Sequence, residues 1–366
     1  MKIDLIIIVI IVALICHSYF YGNLVEGFAD FYSECKLPEL MEKAMNNLKI
    51  DRKDSQKEGE YYFPCEYNTC EERVKKFESE KGTSKKIYLI DGCDWPASKI
   101  ALWRLLKEEY GNNRATTLMP QTHLLDDEED MKNFEAHYKN NLKKRKNHMY
   151  ILKNYAQRQE GLKIVQNYKD IMSGYENGFF LVQDYLYNPF IISKRKINFR
   201  YYTLIVCRNG KKEGYIHREG FVYYTPEDYD ENDPTFDKHI TTGYIDRSIY
   251  DKNPLTLNNF REYLENVEQG LSLRWDNNVN LLMYQIMNAL QNKVCKNEKL
   301  KHHTLFQLFG SDVAPTSDLN AFLMEINKGP DLGAKDEKDK ALKYKVQEDI
   351  FNLIEGNENH KFERIF

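Results

Sequence analysis

The chain has 366 residues, of which 42% are hydrophobic, 30% charged and 13% aromatic, a mixture that supports two or three compact lobes and excludes a short disulfide scaffold, a polytopic membrane protein and wholesale disorder. With 52 Lys and Arg against 56 Asp and Glu the net charge is -4, too near neutrality for a dedicated nucleic-acid binder, so a charged partner has to be met by a local patch.

Leu5 to Cys16 is unbroken by charge, and apart from His17 charge stays absent to Val25. At about 1.5 Å per residue, residues 5–25 just cross a hydrocarbon core of roughly 30 Å, with Tyr19, Phe20 and Tyr21 as interfacial anchors. Residues 1–25 are therefore expected to be an uncleaved single-pass membrane anchor, with a cleavable signal peptide or a buried helix as the alternatives. Residues 26–85 read as a short helix over Pro38–Ile50 and then a charged linker at Asp51–Glu60, which has no apolar residue to bury. Beyond Cys16 lie Cys35, Cys65, Cys70, Cys93, Cys207 and Cys295; the Cys65 to Cys70 spacing is too loose for a zinc site, and free thiols are expected.

From Lys86 onward the patterns sharpen. Lys86–Asp91 has strand character, and Ser98 is placed to cap an amphipathic helix over Lys99–Tyr110. Strands are expected over Met149–Leu152, Phe179–Val182, Phe199–Val206, Tyr215–Tyr224 and Ala321–Ile326. Asn258–Val294 is the longest helical region, with Trp275, Val279, Leu282, Ile286, Leu290 and Val294 on one face. These signals add up to a mixed α+β class.

The sharpest local chemistry is near the C-terminus. Glu325 and Asn327 are two apart on a strand and so share a face, and an antiparallel return through Pro315–Asn320 could set Asp312 beside Glu325. Two carboxylates and an amide are hard ligands suited to Mg²⁺, although a polar strand edge facing solvent has the same pattern. Lys153, Lys196, Arg200 and Arg218 sit at or in strands, from which they could converge on phosphates; singly, each reads as a surface charge.

The order of motifs resembles the tubulin-tyrosine ligase family of ATP-grasp ligases. It runs through YILKNYAQRQEGLKIV (Tyr150 to Val165), FLVQDYLYNPFII (Phe180 to Ile192), KINFRYYTLIV (Lys196 to Val206), YIHREGFVYYT (Tyr215 to Thr225), HITTG (His239 to Gly243), LFQLFGSDV and FLMEINKGPDLG, within Ile87 to Gly356. The resemblance implies an ATP-grasp fold with an N-terminal lobe at 86–148, a central lobe at 149–192, a C-terminal lobe at 193–356 and a tail at 357–366. It implies that Gln183, Asp184, Tyr185 and Leu186 form a hinge reading adenine, that Lys99, Lys153 and Lys196 hold phosphates, and that Asn198 and Thr242 complete the nucleotide site. Asp312, Glu325 and Asn327 would bind Mg²⁺, and Arg200 and Arg218 would stabilise an acyl-phosphate and its tetrahedral successor.

The activity so implied is ATP- and Mg²⁺-dependent addition of tyrosine, glutamate or glycine to a protein with an acidic tail such as tubulin. Lys139, Lys143, Lys144, Arg145 and Lys146 offer a basic landing surface for that tail. Three positions depart from the family pattern: Asn198 in place of Asp, Thr242 in place of an amide, and a loop after Lys153 whose one glycine is Gly161. A non-catalytic scaffold in a membrane or virion and a small-molecule peptide-bond ligase are the competing readings. An anchored ligase needs its catalytic part on the cytosolic face, or packaged in a viral or vesicular membrane, to meet ATP and tubulin.

Overall fold

The computed structural model describes residues 29–54, 59–64, 84–154, 161–241 and 245–366. The expected anchor at 1–25 lies outside these residues; among those described, no helix is long and apolar enough to cross a membrane.

The chain begins with short elements: β1 (Asp30–Ser33), α1 (Glu39–Asn47), β2 (Asp51–Arg52), β3 (Tyr61–Phe63) and β4 (Lys86–Ile87). α2 (Lys99–Tyr110) starts at Ser98, whose hydroxyl accepts from the Ala101 amide at 3.2 Å as the sequence indicates. β5 (Thr122–Leu124), α3 (Glu128–Lys144), β6 (Tyr150–Lys153), β7 (Leu162–Val165), β8 (Leu181–Asp184) and β9 (Ile191–Ile192) follow. β10 (Arg195–Arg208) and β11 (Lys211–Tyr224) form a long hairpin closed by Asn209 and Gly210, both at positive φ (51° and 71°), the turn geometry that matches the twist of paired strands. α4 (Leu257–Val267), α5 (Leu271–Leu290), β12 (Thr304–Pro315), β13 (Ala321–Asn327), α6 (Glu337–Glu355) and β14 (Phe362–Arg364) complete the order.

One sheet runs β14-β11-β10-β12-β4-β3-β1-β2, with β13 paired to β12 and β9 to β10; a second runs β5-β8-β6-β7. The first is antiparallel around β10 and parallel from β12 through β4, β3 and β1 to β2. This is the mixed α+β class read from the sequence.

Three expectations need correction. The start of the charged stretch is not a linker: Asp51–Arg52 is an edge strand beside β1, and both side chains are exposed, so it pairs through backbone alone and leaves no hydrophobic pattern. The helical region at 258–294 is two helices, parted at Gly270 with φ 90°, a value that glycine adopts without a Cβ clash. Its six predicted face residues are nevertheless all buried. Finally, Cys207 and Cys295 form a disulfide with Cα atoms 6.4 Å apart, and Cys35 is also disulfide-bonded. Partners 88 positions apart give no spacing signal in a sequence.

The two faces of β10 are covered differently. Ile197, Phe199, Tyr201, Ile205 and Cys207 join a core built with α2, α4 and α5, whereas Tyr202, Leu204 and Val206 join another built with α1 and α6. Near the start of the strand, Lys196, Asn198 and Arg200 open instead onto a cleft.

Candidate active site

The second sheet supplies the opposite wall. Its one face packs on α3 through Phe134, Tyr150, Leu152 and Val182, so the strand period of two turns Ile151, Lys153 and Gln183 the other way. Between the sheets lies a cavity of about 110 Å³ whose lining changes character. Ile151, Leu162, Leu186 and Ile240 make one part apolar, while Lys99, Lys153, Lys196, Arg200, Asp312 and Glu325 make the other strongly charged. An adjoining cavity of about 240 Å³ shares Lys99, Lys153 and Glu325 and adds Asn327.

Strand register builds the charged part. Arg200 on β10 stands opposite Asp312 on β12, which stands opposite Glu325 on β13, and Asn327 lies across from Gly310. The Arg200 guanidinium donates to both Asp312 oxygens, at 2.5 and 3.1 Å. Gly310 permits this: a Cβ there would lie 3.1 Å from both Cδ and Nη1 of Arg200 and 2.9 Å from Pro330. Burial nonetheless pushes the Asp312 carboxyl up to about 6, against the opposing pull of Arg200 and with help from nearby Glu325. Glu325 is bracketed by the Lys99 ammonium at 3.4 Å and the Asn327 amide at 3.1 Å. Burial pushes its carboxyl upward, but Lys99 and Lys153 outweigh that and hold it below the usual value. The structure thus brings Asp312, Glu325 and Asn327 together.

Lys153 and Lys196 are both buried. Burial lowers Lys153 to about 8 and Lys196 to about 7, the second with a further push from the first. The Lys153 ammonium donates to the Met324 carbonyl at 3.5 Å, and that of Lys196 to the Tyr185 hydroxyl at 3.3 Å. Two buried cations that repel one another and make no ion pair among the described residues describe a place for an anion.

Around the apolar part, Asp184, Tyr185 and Leu186 line the cavity. The Asp184 carboxylate is already engaged with His137 at 2.8 Å. Gln183 faces the cleft side of its sheet opposite Ile151, but its amide NH₂ donates to Thr122 Oγ1 at 2.8 Å, and Oε1 is buried with no partner among the described residues. Asn198 Oδ1 is likewise buried and orphaned. Asn198 lines the cavity and Gln183 does not, so it is the Asn198 acceptor that marks where a ligand's donor belongs. Thr242 lies outside the described residues; its neighbour Thr241 lines the cavity.

Arg218 does not join the group. It falls where the β10–β11 register shifts between Tyr201 and Thr203, its side chain is 61% exposed, and its guanidinium pairs with Glu363 on β14. β11 presents Tyr223 to the cavity instead, opposite Asn198 and with its ring 5.9 Å from the Arg200 guanidinium carbon. Arg218→Ala is therefore expected to change nucleotide affinity and turnover less than twofold (roughly what a solvent-exposed ion pair is worth); a loss of tenfold or more in either assay would return it to the site. His239 also escaped the sequence reading as a site residue: its Nδ1 lies 2.8 Å from the Tyr185 hydroxyl, so it buttresses the group that meets Lys196. The HITTG motif could have flagged it.

A family model described as the tubulin-tyrosine ligase family matches residues 76–361. Among curated proteins, the chain is 26% identical over 213 residues to the probable tubulin polyglutamylase ttll-9 of Caenorhabditis elegans, covering 54% of this chain and 49% of that one. It is 27% identical over 212 residues to the probable tubulin polyglutamylase TTLL2 of Mus musculus, covering 54% and 37%. It is 24% identical over 203 residues to tubulin glycylase 3B of Drosophila melanogaster, covering 52% and 26%. The chain thus spans half or less of the length of these relatives.

Proposed function

The chain belongs to the tubulin-tyrosine ligase family, and on that premise we propose that it is an ATP- and Mg²⁺-dependent carboxylate–amine ligase that adds an amino acid to a protein with an acidic tail, tubulin or one of like chemistry. The observation that carries this reading is the change of lining within one cavity, from Ile151, Leu162, Leu186 and Ile240, suited to a purine, to Lys153, Lys196 and Arg200, suited to phosphates. Relatives named for polyglutamylation and glycylation of tubulin support the acceptor class.

The reaction has two steps. An oxygen of the substrate carboxylate attacks the γ-phosphorus of ATP, the bond to the bridging oxygen breaks, and ADP leaves with the electron pair. The amine then attacks the acyl-phosphate carbonyl, the tetrahedral carbon collapses with loss of phosphate, and the ammonium proton departs, leaving an amide. Lys153 and Lys196 neutralise phosphate oxygens, and Arg200, fixed by Asp312, presents its guanidinium to the charge that grows on the tetrahedral oxygen. The oxygens of Asp312, Glu325 and Asn327, on paired strands beside these cations, fit a hard divalent ion and would hold Mg²⁺, which supplies charge neutralisation at the β- and γ-phosphates. No protein nucleophile is needed.

Calorimetric titration of Mg·ATP into the full chain in detergent, with EDTA as control, tests the site, and incorporation of labelled glutamate, glycine or tyrosine into tubulin tests the reaction. A folded chain with no Mg·ATP binding would end the reading. The lysines add a pH signature. Both are depressed in the folded chain, so between about 7 and the ordinary lysine value the unfolded chain binds more protons, and stability of the unliganded protein rises with pH. Phosphates favour the ammonium forms, so ATP affinity is expected to fall, by about tenfold from pH 7 to 9, with proton uptake on binding visible in buffers of different ionisation enthalpy. Affinity that does not vary with pH would remove these lysines from the phosphate site.

A further inference from the structure

At the opposite end of β10 from the active site lies a cavity of about 370 Å³ that the reaction does not use. Its lining contains Arg208, Lys211, Lys212, Lys296 and Lys301 against Asp91 and Glu298, and the Cys207–Cys295 disulfide forms part of its wall. The bond ties the segment carrying Lys296 and Lys301 to the β10–β11 turn that carries Arg208, Lys211 and Lys212. Some of this charge is answered locally: Arg208 pairs with Glu213 at 2.9 Å and Lys301 with Glu298 at 2.6 Å. Lys211, Lys212 and Lys296 make no ion pair among the described residues. Lys212 is held below its ordinary value by burial and by Lys296 and Lys301, so the cations crowd one another.

The form of the site favours carboxylates spaced along a chain over a phosphate. Backbone N–H groups and arginine forks give a phosphate site a directed geometry that lysine point charges alone do not, and the Arg208 fork is committed to Glu213. Here the loop amides of Lys296 and Asn297 already donate to Asp91 Oδ2, at 2.8 and 3.0 Å. The ammoniums of Lys211 and Lys296 are left over, that of Lys212 donates to the Gln291 carbonyl, and Lys211, Lys296 and the Glu298-paired Lys301 are exposed around the rim. Compact point charges on flexible stems suit a run of acidic side chains without demanding one geometry. The basic run at 139–146 also has two paired cations, Lys139 with Glu135 and Arg145 with Glu231, and it is the poorer candidate because its exposed Lys143, Lys144 and Lys146 line neither this cavity nor the active-site cleft.

We infer that this disulfide-walled cavity is a docking site for an acidic peptide segment of the acceptor protein, remote from the cleft where the amide forms. The inference rests on the ligase reading for the acceptor's identity, though peptide binding itself does not need catalysis. Eight positions of β10 separate Arg208 from Arg200, a straight line of roughly 26 Å at about 3.3 Å per residue; because both faces of the strand are covered by core, an extended acceptor passes around them and needs more than the roughly eight residues of the direct line. A tail anchored at one end of the strand can therefore present a residue at the other.

The test is fluorescence anisotropy of a labelled poly-glutamate peptide with the full chain in detergent, beside a poly-glutamine control. The wild type is expected to bind the acidic peptide with an affinity that falls as salt rises. Combined Lys211→Glu, Lys296→Glu and Lys301→Glu should weaken it by about tenfold or more, while Mg·ATP binding at the distant cleft stays unchanged and certifies the fold. Cys295→Ser, which releases the wall, should weaken peptide binding in the same direction. Equal peptide affinity in the triple variant overturns the proposal. So does loss of peptide binding on combined Lys143→Glu, Lys144→Glu and Lys146→Glu with the triple variant unaffected, or binding of pyrophosphate, lost in the triple variant, by a protein that ignores the peptide. Peptide binding without ligase activity would leave the docking site standing and sink the ligase reading alone.

Discussion

A Glu325→Gln chain is expected to keep its fold and lose Mg²⁺-dependent ATP binding, with turnover falling by about two to three orders of magnitude. The substitution is nearly isosteric, and the amide can still meet Asn327, which now donates to Glu325 at 3.1 Å. What disappears is one negative charge. That charge is half of the carboxylate pair formed with Asp312 across the β12–β13 register, and it is the partner of Lys99 at 3.4 Å. Without it, Lys99 and the buried Lys153 face each other with less compensation, and a divalent cation finds one carboxylate, already held by Arg200, in place of two. Calorimetry with and without EDTA reads the first effect and a thermal melt guards against misfolding. Wild-type Mg·ATP binding in the variant would take Glu325 out of the metal site.

Arg200→Met is expected to act first on stability. It strips a doubly hydrogen-bonded guanidinium from Asp312 and leaves a buried carboxylate alone, a change that costs about 3–5 kcal/mol. The cost should shrink in acid. Asp312 titrates at about 6 even beside the arginine, because burial disfavours its charge; without the cation it moves higher still. In the variant the folded state therefore binds the proton more tightly than the unfolded one, so its stability rises as pH falls through that range. Adding Asp312→Asn should recover much of the loss at neutral pH. Denaturant unfolding at pH 5 and pH 7.5 makes the comparison, and a deficit below 1 kcal/mol, or one independent of pH, would show that the pair is not buried as described.

Alternation made Glu325 and Asn327 legible as one face before the fold was seen, whereas Lys196, Asn198 and Arg200 were grouped only through the family resemblance, although the same strand period carries them. Lys196, Asn198 and Arg200 occur every second residue between Ile197 and Phe199, as Glu325 and Asn327 do around Ile326, and a polar row against an apolar row can face only a cleft or solvent. The pairing of Asp312 with Glu325 followed from an antiparallel return. Arg218 was misjudged because alternation fails at a bulge: the register shift between Tyr201 and Thr203 re-aims the residues beside it, and nothing in YIHREGFVYYT announces an irregularity in its partner. Gln183 was expected in the adenine-reading hinge, but its amide NH₂ is committed to Thr122, a contact set by strand pairing across 61 positions. The role of His239 depends on the tyrosine hydroxyl it meets, which no local pattern contains.

Linking Cys207 to Cys295 closes a stretch of 88 residues, and such a link restrains the denatured chain far more than the native one. Loop entropy values this at about 4–5 kcal/mol, a large share of the roughly 5–15 kcal/mol by which a domain exceeds its unfolded state. The same polypeptide is thus expected to have two stabilities, one for each side of a cell's redox boundary. Where thiols are kept reduced, the unfolded ensemble regains its freedom and unfolding, proteolysis and turnover all quicken. Where the bond persists, the margin is kept without any added contact in the folded molecule.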